Sequence, residues 1–550
     1  MAQAADGGEI WDDVIVGAGS AGCVLAARLS AAGRRVLLLE AGGDDRAQRW
    51  VRMPLGAGKL LGNPGAVWQF ETEADPGAAD RRMIWPRGRM LGGSSSVNGM
   101  IWVRGDPERW NLWGEVAPGW GWREIGPVMR AIEDAPFATA PDRGRGGPVS
   151  VQEVARGDAL SEGFIAACGA VGIPATPDYN GAQHEGVGLL QMNTRRGRRW
   201  SVAEAYLRPA MTRGALAART SARACRVVFQ GRRAAGVEYR DAAGALHVAR
   251  ARREVILAAG AIQSPQLLEL SGIGDAARLR GLGIQVVTHR GEVGENLSDH
   301  FHVRVTWRAR GVVTVNDLLR RPWLHGPKAM LQWRLFGTGL LAQVAATAHA
   351  LARTTPDATR PDMKLQMHKI SAADRTGYTK GTGVDDYPGV SIGFFTLYPE
   401  SRGSVHAASP DPEAPPRILA NYLATPGDRN AALRGLRLAR SIAAQAPLAR
   451  FLVEETRPGA AMQDDAALLD YIRRYGATSY HPVGTCRMGT DADSVVDPAC
   501  RVRGVDGLRV IDASIMPFLV SSNTNAPAIA IGERGASLIL AADNMAAAAT

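Results

Sequence analysis

The chain has 550 residues, 46% hydrophobic and 21% charged, with 64 glycines and a formal net charge of +10. That length calls for about two to four domain-sized units rather than one simple core, and the composition is that of a globular protein rich in tight turns. The positive charge is dispersed arginine, densest at Arg195, Arg196, Arg198 and Arg199. With no basic tail and no aromatic–basic interleaving, it reads as a solvated surface and argues against a nucleic-acid partner.

Five scattered cysteines (Cys23, Cys168, Cys225, Cys486, Cys500), none in a C-x-x-C pair, argue against a disulfide framework or zinc site and for a reducing compartment. No metal-ligand spacing such as H-E-x-x-H occurs. Met1 to Asp13 lacks the basic and apolar regions of a signal peptide. No apolar run approaches the roughly 18 residues of a spanning helix. The expected location is cytoplasmic, without an integral membrane segment.

Asp13–Val16 predicts a buried strand running into Gly17-Ala18-Gly19-Ser20-Ala21-Gly22, then a helix from Cys23 to Ala32 ended by Gly33. Val36–Leu39 predicts a second strand closing on Glu40, which completes a βαβ dinucleotide fingerprint. Gly17 permits the tight turn, Gly19 lets backbone approach a pyrophosphate, and Gly22 lets helix pack on strand. The helix N-terminus offers N–H groups to phosphate. Glu40 suits both hydroxyls of an adenosine ribose and repels a 2′-phosphate, so the ligand is FAD or NAD rather than NADP.

From Gly42-Gly43 to Ile84 periodicity is weak. Arg87-Gly88-Arg89-Met90-Leu91-Gly92-Gly93-Ser94-Ser95-Ser96-Val97-Asn98-Gly99-Met100 then exposes backbone N–H groups and short hydroxyls suited to phosphate or a flat polar ring. Its apolar exit through Ile101 and Trp102 marks it as buried. Arg223–Val228 and Gly236–Tyr239 alternate as sheet. Glu254–Gly260 and Leu508–Ser514 read as apolar strands ending in glycine or polar residues, where ligands of parallel α/β sheets collect.

Asp428–Ala446 predicts one amphipathic, arginine-rich helix whose charges form a solvated face. His325, His349 and His368 read as surface or core residues, His349 alone being a candidate for a pocket. Trp323, Trp333, Phe336, Phe394, Phe395 and Tyr398 suffice to line an apolar or aryl pocket, or to fill a core. The alanine-rich end, Met545–Thr550, is expected to fray.

Near the C-terminus, Tyr480-His481-Pro482-Val483-Gly484 sets one imidazole between a rigidifying proline and a glycine turn. Histidine's ordinary pKa lies near working pH, so His481 is a candidate base, though a lone histidine in a turn serves equally as structure. In Ser522-Asn523-Thr524-Asn525-Ala526-Pro527, Pro527 announces a helix start that Thr524 and Asn525 can cap.

These motifs, in this order, resemble the glucose–methanol–choline (GMC) family of flavin oxidoreductases. Gly88–Asn98 resembles its first signature, and Gly260-Ala261-Ile262-Gln263-Ser264-Pro265 through Gly274 its second. Gly294–His300 resembles a turn that closes the N-terminal half. Likeness resumes at Ser401–Ser404 and runs to Ile531; Trp307–Pro399 alone has no match.

The resemblance implies FAD rather than NAD. It implies an α/β fold, with a Rossmann-like FAD domain interleaved with an antiparallel-sheet substrate domain covered by helices. Residues 1–306 would be mainly FAD-binding, with an excursion to the substrate domain near 150–200. Residues 307–474 would be mainly substrate-binding, and 475–550 would return to the FAD domain with the catalytic pair.

Flavin contacts are implied for Gly17, Gly19, Ser20, Ala21, Gly22, Glu40, Ala41 and Trp68. In the serine loop they are Arg89, Leu91, Gly92, Gly93, Ser94, Asn98, Gly99, Met100 and Ile101. Val227 is implied beside the adenine, and Asp512 near the ribityl or pyrophosphate oxygens. Further contacts are Ala259, Gly260, Tyr480, Ala513, Asn523, Thr524, Asn525 and Pro527.

His481 falls on the family's catalytic histidine, and Asn523 on a partner position that carries histidine or asparagine. In the implied reaction an alcohol CH–OH becomes an aldehyde or ketone, its proton passing to His481 and its hydride to flavin N5, with a primary or aryl alcohol as substrate. Some relatives attach flavin through a histidine where this chain has Val97, so FAD is expected to be non-covalent. The acceptor is a quinone, a dye-like acceptor or oxygen. Ser479, polar where an apolar contact favours oxygen, leans the reading to a dehydrogenase. The alternatives are an oxygen-using, peroxide-forming oxidase or a non-redox hydroxynitrile-lyase-type enzyme; the His481–Asn523 pair argues against a light-driven decarboxylase.

Overall fold

The computed structural model describes residues 9–373 and 383–548. The reading of Met1–Asp13 therefore falls mostly outside the described residues, as do Ala549 and Thr550. Apolar, β-branched runs form the parallel centre of a first sheet. β1 (Ile10–Val16) leads through α1 (Ser20–Ala31) to β2 (Val36–Leu39), and the two strands pair in parallel with Ile15 beside Leu38. Gly33, at φ +84, ends the helix in the left-handed conformation glycine adopts without penalty.

The chain then contributes β3 (Gly186–Leu189) to a second sheet and returns to the first as β4 (Leu216–Arg219), β5 (Arg223–Gln230), β6 (Arg233–Arg240) and β7 (Leu246–Leu257). It enters α2 (Gly260–Leu270) before β8 (Phe301–Ala309) opens the long stay in the second sheet. There α3 (Val315–Arg320) and α4 (Pro322–Phe336) precede β9 (Ala346–Ala352), β10 (Met363–His368) and β11 (Gly389–Thr396). Next come α5 (Pro426–Ala443) and β12 (Leu452–Arg457). β13 (Leu508–Val510) and α6 (Asn525–Ala548) complete the first half again.

The first sheet has the order β4-β2-β1-β7-β6-β5, with β13 paired to β7. Its β4, β2, β1, β7 and β13 pairings are parallel, and β7-β6-β5 is an antiparallel meander. The second, β12-β8-β11-β10-β9-β3, is antiparallel throughout. This is the Rossmann-like sheet plus antiparallel sheet expected from the sequence. α6 packs on α1 at glycine positions: a Cβ on Gly532 would stand 2.9 Å from the Ala21 carbonyl oxygen. Arg34, bonded to buried Asp13 at 2.7 Å and also to Asp543, ties the ends of these helices.

α5 covers the second sheet with Leu436, Ala439 and Ile442 over Ile392 and Phe394, each large side chain contributing about 1.5–3 kcal/mol by leaving water. Its charges do not all form a solvated face. Asp428 is buried and accepts the amides of Glu400 (2.9 Å) and Ser401 (2.8 Å), and Arg440 pairs with buried Glu455. The end expected to fray stays helical to Ala548. In the run Leu508–Ser514 only the first three residues pair as strand, because the Asp512 side chain accepts the Ser514 amide and turns the chain.

Candidate active site

The carboxyl ends of β1, β2 and β7 open on a cleft of about 130 Å³. Gly17 sits at φ +99, where a Cβ would lie 2.7 Å from the Ala258 carbonyl oxygen, and a Cβ on Gly22 would stand 1.9 Å from that of Gly17. The turn is thus built for close backbone approach. Gly19, Ser20 and Ala21 form the wall at the start of α1. Glu40 and Ala41 close its far end. Burial pushes the Glu40 carboxyl up to about 7 against the pull of amide hydrogen bonds from Gly42 and Ala18, both 2.9 Å.

Trp68 forms one side, with the Arg89 guanidinium 4.5 Å over its ring. Gly93 and Ser94 form another; Gly93, at φ +50, lies where a Cβ would meet Gly19 Cα at 2.7 Å. Opposite stand Ala259, Gly260, Asp512 and Ala513. Asp512 Oδ2 accepts from the Gly260 amide (2.8 Å) and Ser264 Oγ (2.5 Å). A cradle that any Cβ would fill, bounded by helix N-termini and ended by a buried acid, suits a dinucleotide diphosphate and its ribose.

Ser20, Arg87, Ser94, Ala513 and Ala528 also border a second hollow of about 290 Å³, so the two are continuous. Its walls include Val97, Asn98, Gly99, Met100 and Ile101, together with Ser479, Tyr480 and His481 and with Asn523, Thr524 and Asn525. A smaller cleft continuous with a larger chamber fits the adenosine diphosphate and isoalloxazine parts of FAD. Of the remaining expected contacts, Gly22, Arg89, Leu91, Gly92, Val227 and Pro527 border neither hollow. Gly92 makes the turn at φ +85, Leu91 is core, and Pro527 sits in the first turn of α6. The Val227 amide donates to Ser271 Oγ at 2.8 Å, and Ala222–Ala224 stand at the wall instead.

His481 is held from several sides. Its amide donates to Asp299 Oδ1 at 2.8 Å, and Asp299 Oδ2 takes Thr478 Oγ1 (2.6 Å) and the Tyr422 hydroxyl (2.5 Å). Tyr480, at φ +65, has its carbonyl fixed by Arg87 Nη1 at 2.9 Å. His481 Nδ1 lies 2.9 Å from His300 Nδ1, whose Nε2 lies 3.1 Å from the Leu397 carbonyl oxygen. A carbonyl only accepts, so His300 carries its proton on Nε2. Burial depresses the His300 pKa to about 3, so the ring is neutral and its Nδ1 is an acceptor. His481 Nδ1 must then be the donor. The neutral His481 ring therefore turns a basic Nε2 toward the cavity, where Asn523 Nδ2 donates to it at 3.0 Å.

Asn523 Oδ1 accepts from Lys364 Nζ at 2.7 Å, and Lys364 also reaches Ser522 Oγ at 2.9 Å. Lys364 is buried, and burial lowers its pKa to about 7. Arg199, likewise lowered to about 9 by burial, clamps the serine loop through Ser95 O (3.0 Å), Asn98 Oδ1 (2.8 Å) and Asn98 O (2.7 Å). Asp299 and His300 fall in the Gly294–His300 turn, for which the motifs imply no site role; Arg199, expected on a solvated surface, is buried; Lys364 falls in no motif, although the alternation Met-Lys-Leu-Gln-Met-His in β10 is a usable signal. Of the six aromatic candidates Phe395 alone borders the chamber, stacking on His300 at 4.4 Å. Phe394 is core, Trp333 packs beside Met53 and Leu55, and Tyr398 donates to Asp106 at 2.8 Å. Trp323 and Phe336 are exposed. Of His325, His349 and His368 it is His368 that borders the chamber, while His349 is buried against Tyr179, ring to ring at 4.0 Å. The five cysteines are buried and free. No group of metal-ligating residues occurs among the described residues, nor does a helix long and apolar enough to cross a membrane.

GMC oxidoreductases match this chain over residues 11–302 and again over 399–532. Mouse mitochondrial choline dehydrogenase is 40% identical over 549 residues, 98% of this chain and 91% of that one. An alcohol dehydrogenase [acceptor] of Pseudomonas putida is 38% identical over 547 residues, covering 98% and 97%. The crystal structure of pyridoxine 4-oxidase from Mesorbium loti superposes with a TM-score of 0.85 at 32% identity, over 96% of this chain and 98% of that one. The chain is a member of the GMC family of FAD-dependent oxidoreductases, which act on the CH–OH groups of their donors.

Proposed function

We propose that the protein oxidises an uncharged primary or aryl alcohol to its aldehyde, with His481 as base and Asn523 as the group that holds the alcohol oxygen. The observation that carries this is the relay from the Leu397 carbonyl through His300 to His481, which leaves Nε2 as the proton acceptor beside an amide donor. An alcohol oxygen taking the place of Nε2 as the partner of Asn523 Nδ2 can pass its proton to that nitrogen, while the amide stabilises the developing alkoxide. FAD, when bound, supplies the hydride acceptor. The cleft residues would hold its dinucleotide portion, Glu40 accepting from the ribose hydroxyls and Asp512 serving the ribityl or pyrophosphate end. Val97, a buried hydrocarbon side chain without a nucleophile, keeps FAD non-covalent, so acid precipitation should leave the yellow colour in the supernatant.

A division into a mainly FAD-binding part (1–306, with an excursion to the substrate domain near 150–200, and 475–550) and a mainly substrate-binding part (307–474) is supported by the two sheets, β3 in the second sheet lying within that excursion. A cytoplasmic location suits the five free thiols. The described chamber wall carries Lys59, Arg87 and Arg304 and no carboxylate, amid Leu55, Leu319, Val344 and Phe395, which favours an apolar, uncharged alcohol over a quaternary ammonium. Ser479 in the wall favours a quinone-like or dye-like acceptor over oxygen. Anaerobic loss of flavin absorbance with benzyl alcohol, straight-chain primary alcohols and choline tests this. Bleaching by aryl or aliphatic alcohols is expected. Faster bleaching by choline would refute the substrate class, and no bleaching by any alcohol would refute the redox reading. Peroxide formed per turnover, against reduction of an artificial acceptor, tests the dehydrogenase reading.

A further inference from the structure

Helix α4 turns an apolar side outward. Its inner side, Ala329, Met330 and Trp333, packs with Met53, Leu55 and Leu341. At about 100° per residue the opposite side carries Leu324, Leu331 and Leu335, which are 59%, 57% and 65% exposed, with Lys328 among them, while Trp323, 75% exposed, stands on the flank of the first turn. Phe336, at the helix end, is 72% exposed. The helix is well anchored for all that: Trp333 Nε1 donates to the Gly197 carbonyl at 2.8 Å, and Gly337 ends it at φ +65. Three outward leucines flanked by two exposed aromatic rings call for a partner.

The charge on the helix itself is of one sign. The charged residues of α4 are Lys328 and Arg334, both exposed, and no Asp or Glu occurs from residue 318 to 345. The Gly197 contact fastens the hairpin Thr194–Arg195 and Arg198–Arg199 beside the end of the helix. It sets the exposed Arg195, Arg196 and Arg198 there, the last with its guanidinium 5.8 Å over the Trp333 ring. That segment, from 186 to 203, also lacks acids, as does 46–70, which packs under α4 and exposes Arg52 and Lys59. A second copy of the chain meeting this face by two-fold symmetry would set positive charge against positive charge. An anionic lipid surface complements both features. Tryptophan and leucine enter the acyl boundary while arginine and lysine meet headgroup phosphates. At 15 residues the helix is too short to cross a bilayer and suits lying in its plane.

We propose that α4 docks the protein reversibly on an anionic lipid surface. Leu55, Lys59 and Leu319, on the same segments, border the chamber, so docking turns its mouth to the lipid, where apolar alcohols and lipid-soluble acceptors concentrate. The docking itself does not depend on which alcohol is oxidised.

Sedimentation of the FAD-loaded protein with vesicles of phosphatidylcholine, with or without phosphatidylglycerol, tests this. Binding is expected with the anionic vesicles, little with phosphatidylcholine alone, and less as salt is raised. Trp323→Ser/Leu331→Ser/Leu335→Ser should lower the partition coefficient by at least about tenfold, and so should Lys328→Glu/Arg334→Glu. Flavin content and alcohol turnover in vesicle-free buffer should not change, since none of these residues borders the site. If the triple variant loses flavin, the charge-reversal pair decides alone. No binding to anionic vesicles, or variants that sediment as the parent does, would overturn the proposal. So would a parent dimer, seen by light scattering, that the triple variant converts to monomer.

Discussion

Replacing Lys364 by glutamine asks whether the Asn523 amide is electrostatically primed. Lys364 Nζ donates to Asn523 Oδ1 at 2.7 Å, and burial lowers its pKa from 10.5 to about 7. While charged, the ammonium draws electron density through the amide and strengthens Nδ2–H as a donor to an oxygen gaining negative charge. A hydrogen bond to a charged group contributes about 1.5–3 kcal/mol against about 1 for a neutral pair. Glutamine keeps a donor and removes the charge, so the loss is about 1–2 kcal/mol, or about five- to thirtyfold in the rate of alcohol-driven flavin bleaching by stopped flow. The ammonium is present below pH 7 and lost above it, so the parent-to-variant ratio should be largest well below 7 and approach one well above. Stability carries the same signature. The unfolded lysine keeps its proton up to its ordinary 10.5 while the native one loses it at about 7, so stability rises with pH between those values. Below 7 both states are protonated and the penalty on the buried charge is complete, at most about 5 kcal/mol for that depression. Lys364→Gln should therefore gain most in thermal midpoint below pH 7, the gain closing toward 10.5. A rate ratio that stays flat across pH 7 would show that Lys364 only packs.

His481→Ala should slow alcohol-driven bleaching by about 10²–10⁴ while FAD stays bound; a near-normal rate would remove His481 as base. His300→Leu deletes the acceptor that fixes the His481 tautomer and should lower kcat/KM by about tenfold or more. His300→Gln, whose amide oxygen can accept from Nδ1–H, should recover part of the loss, which a purely structural histidine would not predict. Gly93→Ala forces a Cβ to within 2.7 Å of Gly19 Cα at φ +50 and should lower flavin content, read from the flavin-to-protein absorbance ratio of the purified protein.

Residues 10–40 announce their structure because the signals that identify them are local. The glycine turn, the helix it starts and the acid that ends the second strand lie within one βαβ unit; the second strand spans the expected residues and the first begins three residues earlier than expected. The serine loop is legible for the same reason. His300 is not. Its role comes from a carbonyl 97 residues away and a ring 181 residues away, and nothing near it in sequence distinguishes it from a turn histidine. Trp323 and Phe336 fail as pocket or core residues for a different reason. The apolar side of α4 is real, but the described residues provide no surface to cover it.

Lys364 shows what alternation can and cannot say. Met363–His368 alternates apolar and polar residues, as does Phe301–Ala309 with His302, Arg304 and Thr306. Read alone, each is a strand with one face in the core and one in water. The period does sort the faces correctly: His302, Arg304, Gln366 and His368 all border the chamber, while Val303, Val305, Leu365 and Met367 are core. What it does not fix is the medium on the polar side. That side is closed by Ser522 and Asn523, some 158 residues after Lys364, so a lysine expected in water is fully buried against an amide. Strand alternation therefore supplies the membership of a site wall, and the long-range partner supplies its chemistry; the buried, low-pKa lysine exists only where the two meet.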